Sequence, residues 1–512
     1  MKRISRRSFL KVAGVGAAAL GLAACGGSKS GSTATSGSAS SAAGSSTGSV
    51  NTAGFTVQYG PNPETLDPSL NNAVDGANTI ITIFEPLLLI NENNEVIGGQ
   101  AESWEASEDG LTWTFTMRDG LKWSDGTDLT AKDFEYSFKR MADPEIISLA
   151  GGNPASELFP GDELSKIAGK ILMTNPTLAL QYGTTDGYPK MKDCARKRAE
   201  KVNSVGENDE ILIMTGANQG IDLTAKAVLN KGDKVIVESP SFIGSLNAFR
   251  TYEAELVGVT VEADGMNMDE LEETLKNTDG VKMIYTIPTF QNPTGCTMSL
   301  EKRKRMLEIA SKYDVLILED NPYGDLRFAG EDVPTIKSLD TEDRVVYAGS
   351  FSKILSPGMR LGYIVAPAPL AEKIEMLKQV NDVHTPMITQ LMCVEFMKKY
   401  DIDKYIAKNR ELYGKKCAAM VSAMEKYFPQ GKVKWVVPEG GIFLWCECPT
   451  IEDITPIVDK CLEKKVAIVP GSNFATDIYA PSNMFRLNYS SATIENIEEG
   501  VRRLGEVLTE ML

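Results

Sequence analysis

From about Ile146 to the last residue, the sequence predicts an α/β fold built on a mainly parallel sheet. Two observations carry this. Helix and strand signals alternate, with a helix over 195–203, a strand over 211–214, a helix over 217–230, a strand over 234–238, a helix over 301–313 and a strand over 315–318. In addition, three apolar runs each end in a polar cluster. Met283-Ile-Tyr-Thr-Ile-Pro288 leads into Gln291-Asn-Pro-Thr-Gly295. Ile317-Leu-Glu-Asp-Asn-Pro-Tyr323 ends in Asp320 and Tyr323, and Val345-Val-Tyr-Ala348 is bounded by Gly349. Strand-end polar clusters suit a sheet whose ligand lies beyond the carboxyl ends of its strands.

The bounds set by composition are loose but useful. A chain of 512 residues has room for two to four domains. A net charge of −16, with no basic stripe, argues against nucleic acid as a partner. Hydrophobic content of 42% allows a sizeable core. No run of about 18 apolar residues follows the N-terminus. Of the 8 cysteines, Cys25 stands alone and the rest fall after residue 190 without metal spacing, as free thiols of a reduced compartment would. Cys446-Glu-Cys448 reads alternatively as a metal or redox pair. His384 is the only histidine, which leaves zinc little support and nearly excludes triad chemistry.

In chain order, residues 1–25 carry Arg6 and Arg7 before a short apolar stretch that ends Leu22-Ala-Ala-Cys25. This resembles a twin-arginine lipoprotein signal with Cys25 as its lipidation site. Residues 26–54 are a Gly/Ser/Ala/Thr-rich tether. Residues 55–143 differ in composition: Thr56–Tyr59 reads as a strand, the alternation over 111–118 as a half-buried strand, and Asp133–Arg140 as a helix start. With Phe84-Glu-Pro-Leu-Leu88, Ala101-Glu-Ser-Trp104 and Leu121-Lys-Trp-Ser-Asp-Gly126, this stretch resembles the opening of a family 5 extracellular solute-binding protein, the oligopeptide type. It covers only about ninety residues of such a protein, so nearly all of the second ligand-binding lobe is missing. Trp104, Trp113 and Trp123 read as core rather than as ligand contacts. No linker separates this stretch from the next near 141–145, as in a fusion of two truncated genes.

The chemistry gathers around Val345–Gly362. Its strand delivers two hydroxyls (Ser350, Ser352), an amine (Lys353) and, seven residues on, a guanidinium (Arg360) to one end. Pyridoxal 5'-phosphate (PLP) requires such a set: a lysine for its aldehyde, hydroxyls and a fixed cation for its phosphate. Alone, the segment reads equally as a helix start with a serine N-cap and surface cations. Thr215-Gly-Ala-Asn-Gln-Gly220, between strand and helix, offers free backbone amides to an anion; read alone it is a glycine-rich turn.

Taken together, Asn292, Asp320, Tyr323, Lys353 and Arg360 in this order resemble the aspartate-aminotransferase-like, fold type I PLP enzymes, in the 2-aminoadipate and multi-substrate subgroup. The resemblance spans about Ile146–Leu512 and implies a large mainly parallel-sheet domain with a smaller α+β domain. It also implies roles. Lys353 would carry the cofactor and then move the substrate's α-proton, and Asp320 would face the pyridine nitrogen. Asn292 and Tyr323 would bond the ring hydroxyl, and Phe242 would stack on the ring in place of a commoner tyrosine. Gly216, Ala217 and Asn218, with Ser350, Ser352 and Arg360, would cradle the phosphate. The family often has Ser-Gln where this chain has Ala217-Asn218, a change that keeps amide contacts and drops a hydroxyl. Arg486 would grip the substrate α-carboxylate beside Gly152 and Asn153. Tyr182 would reach the neighbouring subunit's phosphate, implying a homodimer; its alternative is an ordinary core tyrosine. The family's usual opening helix before Ile146 is replaced here.

The expectation is thus a transaminase exchanging an amino group between an amino acid and a 2-oxo acid such as 2-oxoglutarate. The rival readings are a truncated transport-binding lipoprotein and an inactive fusion. A fold type I transcription regulator is disfavoured, since no helix-turn-helix precedes the domain. Location is divided: the signal points outward to a lipid-anchored protein, the thiols and enzyme inward.

Overall fold

The computed structural model describes residues 84–90, 95–107, 112–124, 126–141 and 146–512. The signal, the tether, Cys25 and the strand expected at Thr56–Tyr59 lie outside the described residues, as do 142–145 at the expected junction.

In the leading region β1 (Leu88–Ile90) pairs antiparallel with β2 (Val96–Gly98), and β3 (Ala101–Ala106) with β4 (Trp113–Met117). A helix follows over Ala131–Met141. At its start the Asp133 carboxylate accepts from the Thr130 amide at 2.7 Å and from its hydroxyl at 3.0 Å. Of these strands β3 and β4 bury little: Trp113 is 54% exposed.

After β5 (Ile147–Ser148) comes the main sheet, formed by β6 (Asp209–Met214), β7 (Lys234–Ser239), β8 (Glu255–Glu262), β9 (Gly265–Met266), β10 (Val281–Thr286), β11 (Leu316–Asn321), β12 (Val345–Ser350) and β13 (Gly362–Pro367). Its order is β6-β13-β12-β11-β10-β7-β8-β9. β12, β11, β10, β7 and β8 run parallel, and β13 is inverted between β12 and β6, so β6 runs with the parallel set. The expectation of a mainly parallel sheet holds, with β13 and the short β9 as the inverted members.

The strands are apolar on both faces because both faces are covered. Val235, Val237, Met283, Tyr285 and Leu318 join one core. Their neighbours Ile236, Ile284 and Ile317 join a second, under the helices Met268–Asn277 and Leu300–Tyr313. Alternation with period two on continuous apolar strands produces this sorting.

A second, antiparallel sheet has the order β14-β15-β18-β17, from Lys434–Trp435, Phe443–Glu447, Met484–Asn488 and Val469–Pro470. β5 pairs in parallel with β16 (Val466–Ala467), which ties the first residues after the junction to the last quarter of the chain.

Candidate active site

Five strands of the main sheet release their next residues at one end, and the sequence-predicted groups gather there. Gly216 and Ala217 follow β6, Phe242 follows β7, Asn292 follows β10, Asp320 closes β11, and Ser350 to Lys353 leave β12. Parallel strands dictate this, since each loop after a strand must emerge on the same side.

Lys353 points its Nζ at the Gly152 carbonyl oxygen, 2.7 Å away, with the Tyr323 ring centroid at 5.9 Å. Burial, then the charges of Arg486 and Arg360, pull its amine down to about 8. Asp320 is 3% exposed. Its Oδ2 accepts from the Tyr285 hydroxyl at 2.9 Å, which in turn accepts from the Ser245 hydroxyl at 2.8 Å. Its Oδ1 is buried without a hydrogen-bond partner among the described residues. Burial, reinforced by Glu238 and only partly offset by Tyr285, lifts the carboxyl to about 7.

Arg486 is a hub. It donates to Asn292 Oδ1 at 2.8 Å and to the Ala150 carbonyl at 2.7 Å. Its guanidinium lies 4.2 Å from the Phe443 ring centroid and 4.8 Å from that of Phe474, a cation between two aromatic faces. Asn292 also bonds the Tyr323 hydroxyl. Burial raises the Tyr323 phenol, with Arg486 opposing. Segment 150–153 therefore joins the amine to the guanidinium. The Asn153 carbonyl accepts from the Ser490 hydroxyl at 2.6 Å.

At the same end of the sheet Gly216 precedes the helix Ala217–Val228 with φ +83°, and a Cβ there would collide with the Arg360 guanidinium. Arg360 itself adopts φ +50° and lies 3.5 Å from the Thr215 carbonyl. Ser350 Oγ accepts from the Ser352 amide at 3.1 Å, shaping the turn into Lys353. Asn218 is exposed and Phe242 half-buried, its ring against the main core. Tyr182 is 78% exposed, which overturns the core-tyrosine alternative.

Two side chains in this region escaped sequence reasoning. Tyr285 stands in an apolar strand, where a lone phenol seven residues before Asn292 was the available signal. Gln219 belongs to the cradle sequence, yet its amide turns inward to Asn381 and Asp382, 2.8 Å and 2.7 Å away. Cys446 and Cys448 are free and buried on and just after β15, with burial pushing Cys446 up strongly.

Comparison with known proteins follows the same outline. The model of aminotransferase class I and II matches residues 147–504. That for the middle part of family 5 bacterial extracellular solute-binding proteins matches 95–170, overlapping β5, which the structure pairs with β16. An aromatic-amino-acid aminotransferase 1 of Thermococcus litoralis is 40% identical over 75% of this chain and 92% of its own length. A 2-aminoadipate transaminase of Thermus thermophilus is 37% identical over 72% of this chain and 91% of its own length. A kynurenine aminotransferase of Pyrococcus horikoshii, solved with PMP, superimposes with a TM-score of 0.70 at 37% identity, covering 77% of this chain and 98% of that one. The chain belongs to the class I and II aminotransferases and is a PLP-dependent transaminase.

Proposed function

We propose that this transaminase takes an aromatic or 2-aminoadipate-type amino acid as donor and a 2-oxo acid such as 2-oxoglutarate as acceptor, with Lys353 as its catalytic amine. The observation that carries the site assignment is Asp320: a buried carboxyl with one oxygen lacking a partner among the described residues. A protonated ring nitrogen would complete it. The cradle fits as well, since Gly216 brings backbone amides at a helix start beside Arg360, as a phosphate dianion requires. When bound, PLP supplies an aldehyde for amines and a ring that withdraws the electron pair left on the substrate α-carbon.

The chain's own residues do the rest. Lys353, neutral above about pH 8 because it is buried beside two guanidinium groups, takes the proton from the α-carbon and returns it elsewhere. Asp320 holds negative charge toward the ring nitrogen, braced by Tyr285. Arg486 offers its planar fork to the α-carboxylate, its ring neighbours keeping water from the pair. Asn292 and Tyr323 address the ring hydroxyl and Phe242 the ring face. Gly216, Ala217, Asn218, Ser350, Ser352 and Arg360 take the phosphate, and Gly152 with Asn153 closes over the substrate.

Borohydride reduction after incubation with PLP should fix a pyridoxyl group on Lys353, and peptide mapping locates it. A label on another lysine sinks the assignment. Donor choice follows from rates with 2-aminoadipate, phenylalanine and leucine against 2-oxoglutarate.

The exposed Tyr182, near the exposed Met173 and Leu180 in sequence, supports a homodimer in which it serves the neighbouring phosphate. The segment ending at Cys25 supports export and lipid anchoring; lipid labelling that survives Cys25→Ala argues against it. The match over 95–170 favours a second, transport-related origin for the leading region.

A further inference from the structure

Beside Thr215 lies a half-buried ion pair that the chemistry above does not use. Lys378, 0% exposed, sits in the last turn of the helix Ala368–Asn381 and donates to both carboxyl oxygens of Asp382, at 2.8 Å and 2.9 Å. The same ammonium donates to Gln219 Oε1 at 2.9 Å, an oxygen that also accepts from the Thr215 amide at 2.8 Å. Asp382 Oδ2 takes the Thr215 hydroxyl at 2.6 Å and the Gln219 amide at 2.7 Å. Both the side chain and the amide of the residue preceding Gly216 are thus fixed by groups more than 150 positions away or themselves fixed by them. Thr385 adds a further contact, with its hydroxyl 3.1 Å from that of Thr215 and 3.3 Å from the Ile213 carbonyl at the end of β6.

The chain holds Asp382 there against local preference. The His384 amide donates to the Asp382 carbonyl at 2.8 Å around Val383, whose φ is +66°. A two-residue hydrogen bond around a positive φ is the rare, strained form of γ-turn, and a β-branched residue makes it rarer. Strain of this kind persists where surrounding contacts over-determine it, and it clusters at ligand clamps. Hydrogen bonds from Lys378, Thr215 and Gln219 outweigh burial and keep the Asp382 carboxyl below its ordinary range, so it is ionised.

We propose that Asp382, paired with Lys378 and presented by the strained turn at Val383, is the positioning residue for the phosphate cradle: it locks Thr215 and Gln219 so that the amides from Gly216 onward hold a fixed geometry toward the cofactor's phosphate. This rests on the cradle assignment above and adds to it a group that never touches the cofactor. Preorganised donors gain affinity because they need no ordering on binding, and the gain is confined to the phosphate.

The test compares two ligands on the whole chain, PLP and pyridoxal, which differ by the phosphate. In Asp382→Asn the carboxylate's paired acceptor role is lost while size is kept. PLP affinity should fall about tenfold to a hundredfold, the range of a lost charged hydrogen bond, with pyridoxal affinity changed less than about twofold. Thr215→Val, which removes only the hydroxyl, should show the same selective loss at smaller size. It serves if the Asp382 variant fails to fold. Equal losses for the two ligands, or no loss in either, overturn the proposal. If the unaltered chain binds no PLP through Lys353, the reading of the site fails instead.

Discussion

The described residues before 142 and those from 146 onward obey the same local rules and reach different ends. In the first region the hairpin β3–β4 and the helix Ala131–Met141 form as their patterns dictate, with a cap and turns in place. Yet Ala101 is the single buried hydrophobic residue among those described there, while Tyr136 and Phe138 are 70% and 53% exposed. In the second, continuous apolar runs yield central strands β7, β10, β11 and β12 whose side chains are mostly buried, because helices cover both faces. Local pattern makes an element; only partners distant in sequence make a core. Among the described residues of the leading region, elements form without a shared core.

That contrast predicts where change will matter. The largest effect should come from Lys353→Ala, which removes the trapped pyridoxyl label and lowers turnover by about 10³-fold or more, the scale of a lost general base. Stopped-flow or single-turnover measurement with a saturating donor checks it. Next, Arg486→Lys keeps the charge and loses the planar fork and its packing between Phe443 and Phe474. KM for the amino acid should rise about tenfold to a hundredfold, with cofactor absorbance unchanged. A KM within about twofold of the original would remove Arg486 from the carboxylate site.

A subtler effect concerns Asp320. Its folded carboxyl titrates at about 7, above its unfolded value. The folded cofactor-free protein therefore holds more protons than the unfolded chain over the window between, so this group's contribution to folding is fully present below about pH 4 and is lost as pH rises from there through about 7. Lys353 titrates near about 8 and bears on stability only above that window. The melting temperature of the cofactor-free protein should decline by a few degrees more between about pH 5 and pH 7.5 than that of Asp320→Asn. Parallel declines would place the carboxyl's titration elsewhere.

The smallest effect is expected in the leading region. A helix of the family's usual kind placed before Ile146 should raise turnover severalfold by closing the substrate side against water, with PLP affinity unaltered. Equal turnover would mean that Ala131–Met141 already serves.

Much of this was legible because strand ends announce themselves. Asp320 stands two residues past the apolar run Val315–Leu318, and Lys353 five past Val345–Ala348. The helix expected at 195–203 runs over Pro189–Lys201, and the proline at its first position was a start signal that outweighed the apolar pattern. What stayed hidden was long-range. Nothing in periodicity links Gln219 to Lys378, 159 positions on, or puts Phe474 against Arg486. The inversion of β13 left no trace either, since an apolar strand buried on both faces reads the same in both directions.

That inverted strand also acts as a ruler. Gly362 pairs with Ser350 on one side and with Met214 on the other. The turn carrying Lys353 and the turn carrying Gly216 therefore start level, two strand spacings or about 9.6 Å apart. Their separation is set by hydrogen-bond register rather than by the length of any loop. A register counts in whole residues, so the gap between these two turns cannot drift by small amounts: it is kept, or it jumps by about 3.3 Å and turns side chains to the other face. The loop from Ile354 to Gly358, anchored by the buried Ile354 and Leu355, does not set that measure.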